Sequence, residues 1–72
     1  MSQIRVIVVS PEEAYDGTAE FWCGAELMGL TILSEGGLEL RIDSRADGRP
    51  WVIDTTSLAH GLAEANRLIA AY

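Results

Sequence analysis

The sequence predicts an α+β fold, an antiparallel meander of about five strands with one C-terminal helix packed across one face (ββββ-α), as a single domain over residues 1–72. Three observations predict it. Residues 4–9 and 18–43 are strand-like apolar runs broken by short turn signals. The chain then switches near residue 55 to apolar spacings of three and four, the period of a helix. Finally, three turns chosen on local chemistry agree on one apolar sheet face, a consistency that argues for the whole.

The elements follow in order. "IRVIVV", residues 4–9, is β-branched and apolar on both parities, as expected of a strand buried on both faces or paired centrally. "SPEEAYDG", residues 10–17, carries a helix start: Ser10 can cap, Pro11 suits the first helical position and Glu13 completes a capping box. Gly17 can end it in the left-handed conformation, so a single helical turn is expected.

Gly24-Ala25 fits a two-residue turn, placing Phe21 opposite Met28 and Trp22 opposite Leu27. Ser34-Glu35-Gly36 fits a three-residue turn with Gly36 left-handed, placing Ile32 opposite Leu38 and Leu30 opposite Leu40. A two-residue Glu35-Gly36 turn is disfavoured, because glutamate at positive φ is sterically costly. Asp47-Gly48 sets Ile42 opposite Ile53 and Asp43 opposite Val52. One face then collects Ala19, Phe21, Cys23, Met28, Leu30, Ile32, Leu38, Leu40, Ile42, Trp51 and Ile53. The other carries Glu20, Trp22, Leu27, Thr31, Leu33, Glu39, Arg41, Asp43, Val52 and Asp54.

Thr55, Thr56 and Ser57 offer caps for a helix from about Leu58 to the C-terminus. Leu58, Leu62, Ala65, Ile69 and Tyr72 form its apolar stripe, flanked by Gly61 and Leu68, with His60, Glu64 and Arg67 opposite. Small residues at 61 and 65 suit a close crossing over the sheet.

Size makes covering material scarce. A helix of ~15 residues is ~22 Å long and 10–12 Å wide, whereas five strands span ~24 Å. One helix covers about half of one face. Domains below about 70–80 residues usually draw on disulfides, a metal or a partner subunit. Cys23 is the sole cysteine, which excludes an intrachain disulfide, and Cys23 with His60 falls short of a structural zinc site. Self-association is the remaining remedy, through the sheets or by edge pairing of the first strand. The competing expectation is a monomer whose sheet curls into a half-barrel around the helix. Ile7, Val9, Trp22, Leu27 and Leu33 are the interface candidates, Trp being the residue most enriched at binding hot spots.

Composition narrows the partners. Five basic and eleven acidic residues leave a net charge of −6, and Arg41, Arg45 and Arg49 are offset by Asp43 and Asp47. Nucleic acid and anionic membrane, which demand clustered cations, are disfavoured. No apolar run reaches the ~20 residues of a membrane span, and no signal-peptide pattern opens the chain. A free cysteine and no export signal point to the cytoplasm.

Chemistry-bearing patterns are weak. "DSRADGRPWVID", residues 43–54, imitates a calcium loop, yet Arg45 stands where the third position should supply an oxygen. A charged hairpin tip is the plainer reading. Cys23 and His60 would need contact to act as nucleophile and base, and the register turns them in opposite directions. Glu12, Glu13, Asp16 and Glu20 form an acidic run that could mimic nucleic-acid phosphate toward a basic protein, or simply solvate the surface. No catalytic residue, cofactor or metal site is assigned. The expected function is therefore a small non-catalytic cytoplasmic protein, a homodimeric protein–protein interaction module that binds itself, another protein, or both. An acidic inhibitor or decoy of a nucleic-acid-binding protein, of phage or immunity type, is the alternative. A small-ligand carrier or enzyme with a pocket near Trp51 ranks third, since so small a domain rarely encloses ~300 Å³.

Overall fold

A computed structural model describes residues 3–72. The chain forms strand β1 (Ile4–Ile7), helix α1 (Pro11–Tyr15), strands β2 (Glu20–Cys23), β3 (Glu26–Ser34) and β4 (Gly37–Ile42), and helix α2 (Thr55–Ala70). The sheet is an antiparallel meander in the order β1-β2-β3-β4, with α2 packed on it, an α+β fold. Among the described residues it has four strands, not five. The Asp47-Gly48 hairpin does not form: residues 43–54 are irregular, and only a turn survives, closed by Gly48 N–H to Arg45 C=O at 3.0 Å.

Residues 43–54 form no strand because other partners outbid strand pairing. Glu26 accepts from the Ala46 N–H at 2.9 Å and faces Arg45 at 3.7 Å. Trp51 donates its Nε1–H to the Asp43 carbonyl at 2.7 Å, and the Arg45 guanidinium lies 5.3 Å from its ring centroid. Trp51 and Ile53 thereby pack against the core, while Val52 faces water.

The sheet register departs from expectation at two points, and the departures compensate. Trp22 pairs with Leu27 as expected, but Phe21 pairs with Gly29, so Met28 is the extra residue of a β-bulge. At the far end Ser34 pairs with Gly37, so the turn is the two-residue Glu35-Gly36 one. The steric objection to Glu35 does not apply, because the positive φ of this hairpin falls on Gly37, at +118°. Each defect shifts the side-chain phase by one residue. Together they return Leu38, Leu40 and Ile42 to the Phe21 face and reverse only the stretch between. Leu30 and Ile32 therefore share the outer face with Trp22, whereas Thr31 and Leu33 point to the helix side.

The core is thin. Ala19, Phe21, Met28 and Ala65 are its buried members, with Ile4, Val6, Val8, Leu40, Trp51, Ile53, Leu58 and Ile69 packed around them. Phe21 and Met28 are its largest fully buried side chains. Thr31 is the buried polar residue, with its hydroxyl accepting from Ala19 N–H and donating to Gly17 C=O, both at 2.7 Å.

Helix α2 begins earlier than expected. Asp54 is its N-cap, accepting from the Ser57 N–H at 2.9 Å, instead of a threonine or Ser57. Its buried stripe is also rotated: Gly61 and Ala65 lie at the centre, and Leu62 and Tyr72 turn outward. A Cβ on Gly61 would sit 3.2 Å from Ile4 Cγ2 and Phe21 Cε2, so the missing side chain lets α2 rest directly on β1 and β2. Helix α1 is the expected single turn, with Ser10 accepting from Glu13 N–H at 3.2 Å and Gly17 at φ +74° after it.

Candidate protein-interaction face

Helix α2 lies chiefly over β1, so the opposite side of the sheet has no helix across it. That outer face is set by strand alternation and the bulge. Ile7 comes from β1, Trp22 from β2, and Leu27, Leu30 and Ile32 from β3. Ile32 is 44% exposed and the others are half-buried. Trp22 is oriented by a hydrogen bond from its Nε1–H to Glu20 at 3.0 Å. Arg5 stands opposite Trp22 across the β1–β2 pair, and Glu39 and Arg41 border the β4 side.

Of the five candidates, Ile7, Trp22 and Leu27 come together on this face. Val9 lies beyond the end of β1 and is exposed. Leu33 is on the helix side, 58% exposed at the β3–β4 hairpin, where it packs against the backbone of Gly17. Leu30 and Ile32, assigned by register to the core side, belong to the outer face instead. Gly29, a glycine inside an apolar strand run, is the sequence signal that would have revealed them, because such a residue marks a bulge or a close backbone approach.

Electrostatics distinguish this face from the rest of the surface. Arg5 and Arg41 stand against Glu20, Glu39 and Asp43, a near balance, although the chain as a whole carries −6. The acidic run is partly used internally. Glu13 accepts from the Val9 N–H at 3.0 Å, and that bond pulls its carboxyl down. Burial and the neighbouring Glu20 outweigh the bond, leaving the Glu13 carboxyl raised from its ordinary value. Glu12 and Asp16, with Pro11 and Tyr15, line an open depression of about 370 Å³ on α1.

The other patterns resolve into structural roles. Asp43 pairs with Arg41 at 3.2 Å, Asp47 lies 3.7 Å from Arg45, and Asp54 caps α2, so the calcium-like spacing serves separate tasks. Cys23 shares the inner side with Phe21 and His60 is exposed on α2. Among the described residues no three of His, Cys, Asp and Glu gather as a metal site, and no helix is long and apolar enough to cross a membrane.

Surface area measures how much the fold leaves open. A compact monomer of 7.8 kDa exposes about 4,400 Å², and this chain exposes 4932 Å². The excess of about 500 Å² is spread over the whole chain, with Tyr15, Val52 and Tyr72 among the exposed apolar side chains outside this face. Comparison with protein-family models, curated proteins and solved structures finds no match.

Proposed function

We propose that this protein is a non-catalytic, self-associating interaction module that presents its outer sheet face, centred on Trp22, to another protein. The observation that carries the reading is the apolar patch Ile7–Trp22–Leu27–Leu30–Ile32, left without a covering element in a chain whose core fully buries Phe21 and Met28 as its largest side chains. A contiguous apolar face with charged residues at its rim suits an interface. The local charge balance defines the partner's chemistry: an apolar centre rimmed by mixed charges. A strongly basic partner would gain nothing from Arg5 and Arg41. The acidic-decoy alternative would instead use Glu12 and Asp16 on α1.

Sedimentation equilibrium across the micromolar range tests self-association. The expected particle contains two 7.8 kDa chains, and a single chain at every concentration overturns that part of the reading. Affinity capture with wild type, Trp22→Ala and Glu12→Lys tests the face. Retention lost only with Trp22→Ala supports the outer patch, and retention lost only with Glu12→Lys, in a salt-sensitive manner, replaces it with the decoy.

A further inference from the structure

We infer that two copies of this chain join through their β4 edges, pairing Leu38–Ile42 antiparallel with the same residues of the second copy about a two-fold axis at Leu40. The inference rests on the self-association proposed above and names the surface that performs it. Strand β4 is an edge of the sheet, because the expected fifth strand does not form and Trp51 and Ile53 pack against the core. An open edge presents unpaired N–H and C=O groups to any extended chain, and proteins normally blunt it with Pro, Lys, a bulge or shortness. Residues 37–42 have no Pro, no Lys and no bulge, their two charges, Glu39 and Arg41, are of opposite sign, and β4 is six residues long against four for β1.

The backbone phase sets which groups are offered. Asp43 donates its N–H to Met28 C=O at 2.9 Å, so at a period of two Arg41, Glu39 and Gly37 also turn toward β3. Leu38, Leu40 and Ile42 turn their N–H and C=O outward. Centring the axis at Leu40 makes Leu40 opposite Leu40 and Leu38 opposite Ile42 hydrogen-bonded pairs, about six bonds in all.

The side chains fit the same register. Glu39 of each copy stands opposite Arg41 of the other, giving two opposite-charge cross-strand pairs. On the helix side Leu38 meets Ile42, which is 54% exposed in the isolated chain. The β1 edge offers no such complement, since an axis at Arg5 would oppose two arginines. An axis normal to the sheet keeps both outer faces on one side, so the assembly presents two Trp22 patches on one continuous sheet.

Charge exchange tests the register. Glu39→Arg and Arg41→Glu each convert two attractive pairs into two repulsive ones, so each lowers dimer affinity by roughly tenfold. An equimolar mixture of the two variants, or the doubly exchanged chain, restores dimerisation, because opposite charges again face each other. In a Cys23→Ser background, Leu40→Cys crosslinks under mild oxidation. Hydrogen-bonded pairs hold Cα atoms about 5.5 Å apart, within disulfide range. Unchanged circular dichroism verifies that the exposed substitutions leave the fold intact. If wild type dimerises while both single exchanges are silent and Leu40→Cys fails to crosslink, edge pairing is overturned and self-association stands. If wild type sediments as one chain throughout, both fall.

Discussion

A methyl group built on Gly29 would lie 2.0 Å from the carbonyl oxygen of Arg41. Strand β4 approaches β3 so closely at the bulge that position 29 admits no side chain, and the obstacle is backbone, which cannot rotate away. Gly29→Ala should therefore destabilise the fold by about 3 kcal/mol, at the upper end of overpacking costs. In a domain of this size that lowers the melting temperature by roughly 12–24 °C, readable by thermal circular dichroism. An unchanged melting temperature would contradict the close approach.

Thr31 closes the gap where α1 leads into β2. Replacing it by Val keeps the shape and removes both hydrogen bonds, stranding the Ala19 N–H and the Gly17 C=O in a buried site. Thr31→Val should cost about 2–4 kcal/mol. Thr31→Ser keeps both bonds and loses one methyl, for about 1 kcal/mol. Denaturant titration that ranks Ser below Val would show that the hydroxyl is not the important group.

Asp54 starts α2 through its bond to Ser57 N–H. Asp54→Ala should cost about 1 kcal/mol, and Asp54→Asn less, because the amide oxygen can still cap. Since α2 packs on β1, the loss should appear in the single cooperative transition of urea unfolding and not as separate fraying. A biphasic curve would refute that coupling.

The pH profile should carry the Glu13–Glu20 contact. The Val9 N–H holds the Glu13 carboxyl down, but burial and Glu20 prevail, and its folded value lies above the ordinary one. A raised folded value means that this group's contribution is fully present below the ordinary carboxylate range and is lost as pH rises through the folded value. Glu13→Gln keeps an acceptor for Val9 and removes the repulsion. The variant should melt at or above the wild-type temperature at pH 7, and its stability should vary less with pH just above the ordinary carboxylate range. A variant less stable at neutral pH than at acid pH, by the wild-type margin, would remove Glu13 as the cause.

Local chemistry made much of this fold legible. Ser10-Pro11 and Gly17 delimit α1, the Gly24-Ala25 turn pairs Trp22 with Leu27, and the small residues at 61 and 65 mark where α2 crosses. The phase of β3 was harder. One-residue alternation cannot distinguish no bulge with a three-residue turn from a bulge with a two-residue turn, because both return Leu40 to the Phe21 side. Gly29 was the discriminating residue, and its reason is tertiary: the Arg41 backbone. The fifth strand failed similarly. Asp47-Gly48 is a good turn signal, but Glu26, twenty residues earlier than Ala46, binds the backbone N–H just before it. As for the candidate face, Trp22, Leu27, Glu39 and Arg41 could be placed from alternation alone, whereas Leu30 and Ile32 depend on the register of β3.

The bulge at Met28 and the two-residue turn at Glu35-Gly36 behave as an insertion and its suppressor. Between them β3 runs half a wavelength out of step, and that stretch alone delivers Leu30 and Ile32 to the outer face. Stickiness there is consequently written in backbone defects and not in amino-acid composition. Pairing Phe21 with Met28 and closing the hairpin with a three-residue Ser34-Glu35-Gly36 turn would reset the phase and internalise both aliphatics. The same inventory of side chains would then present a more polar exterior.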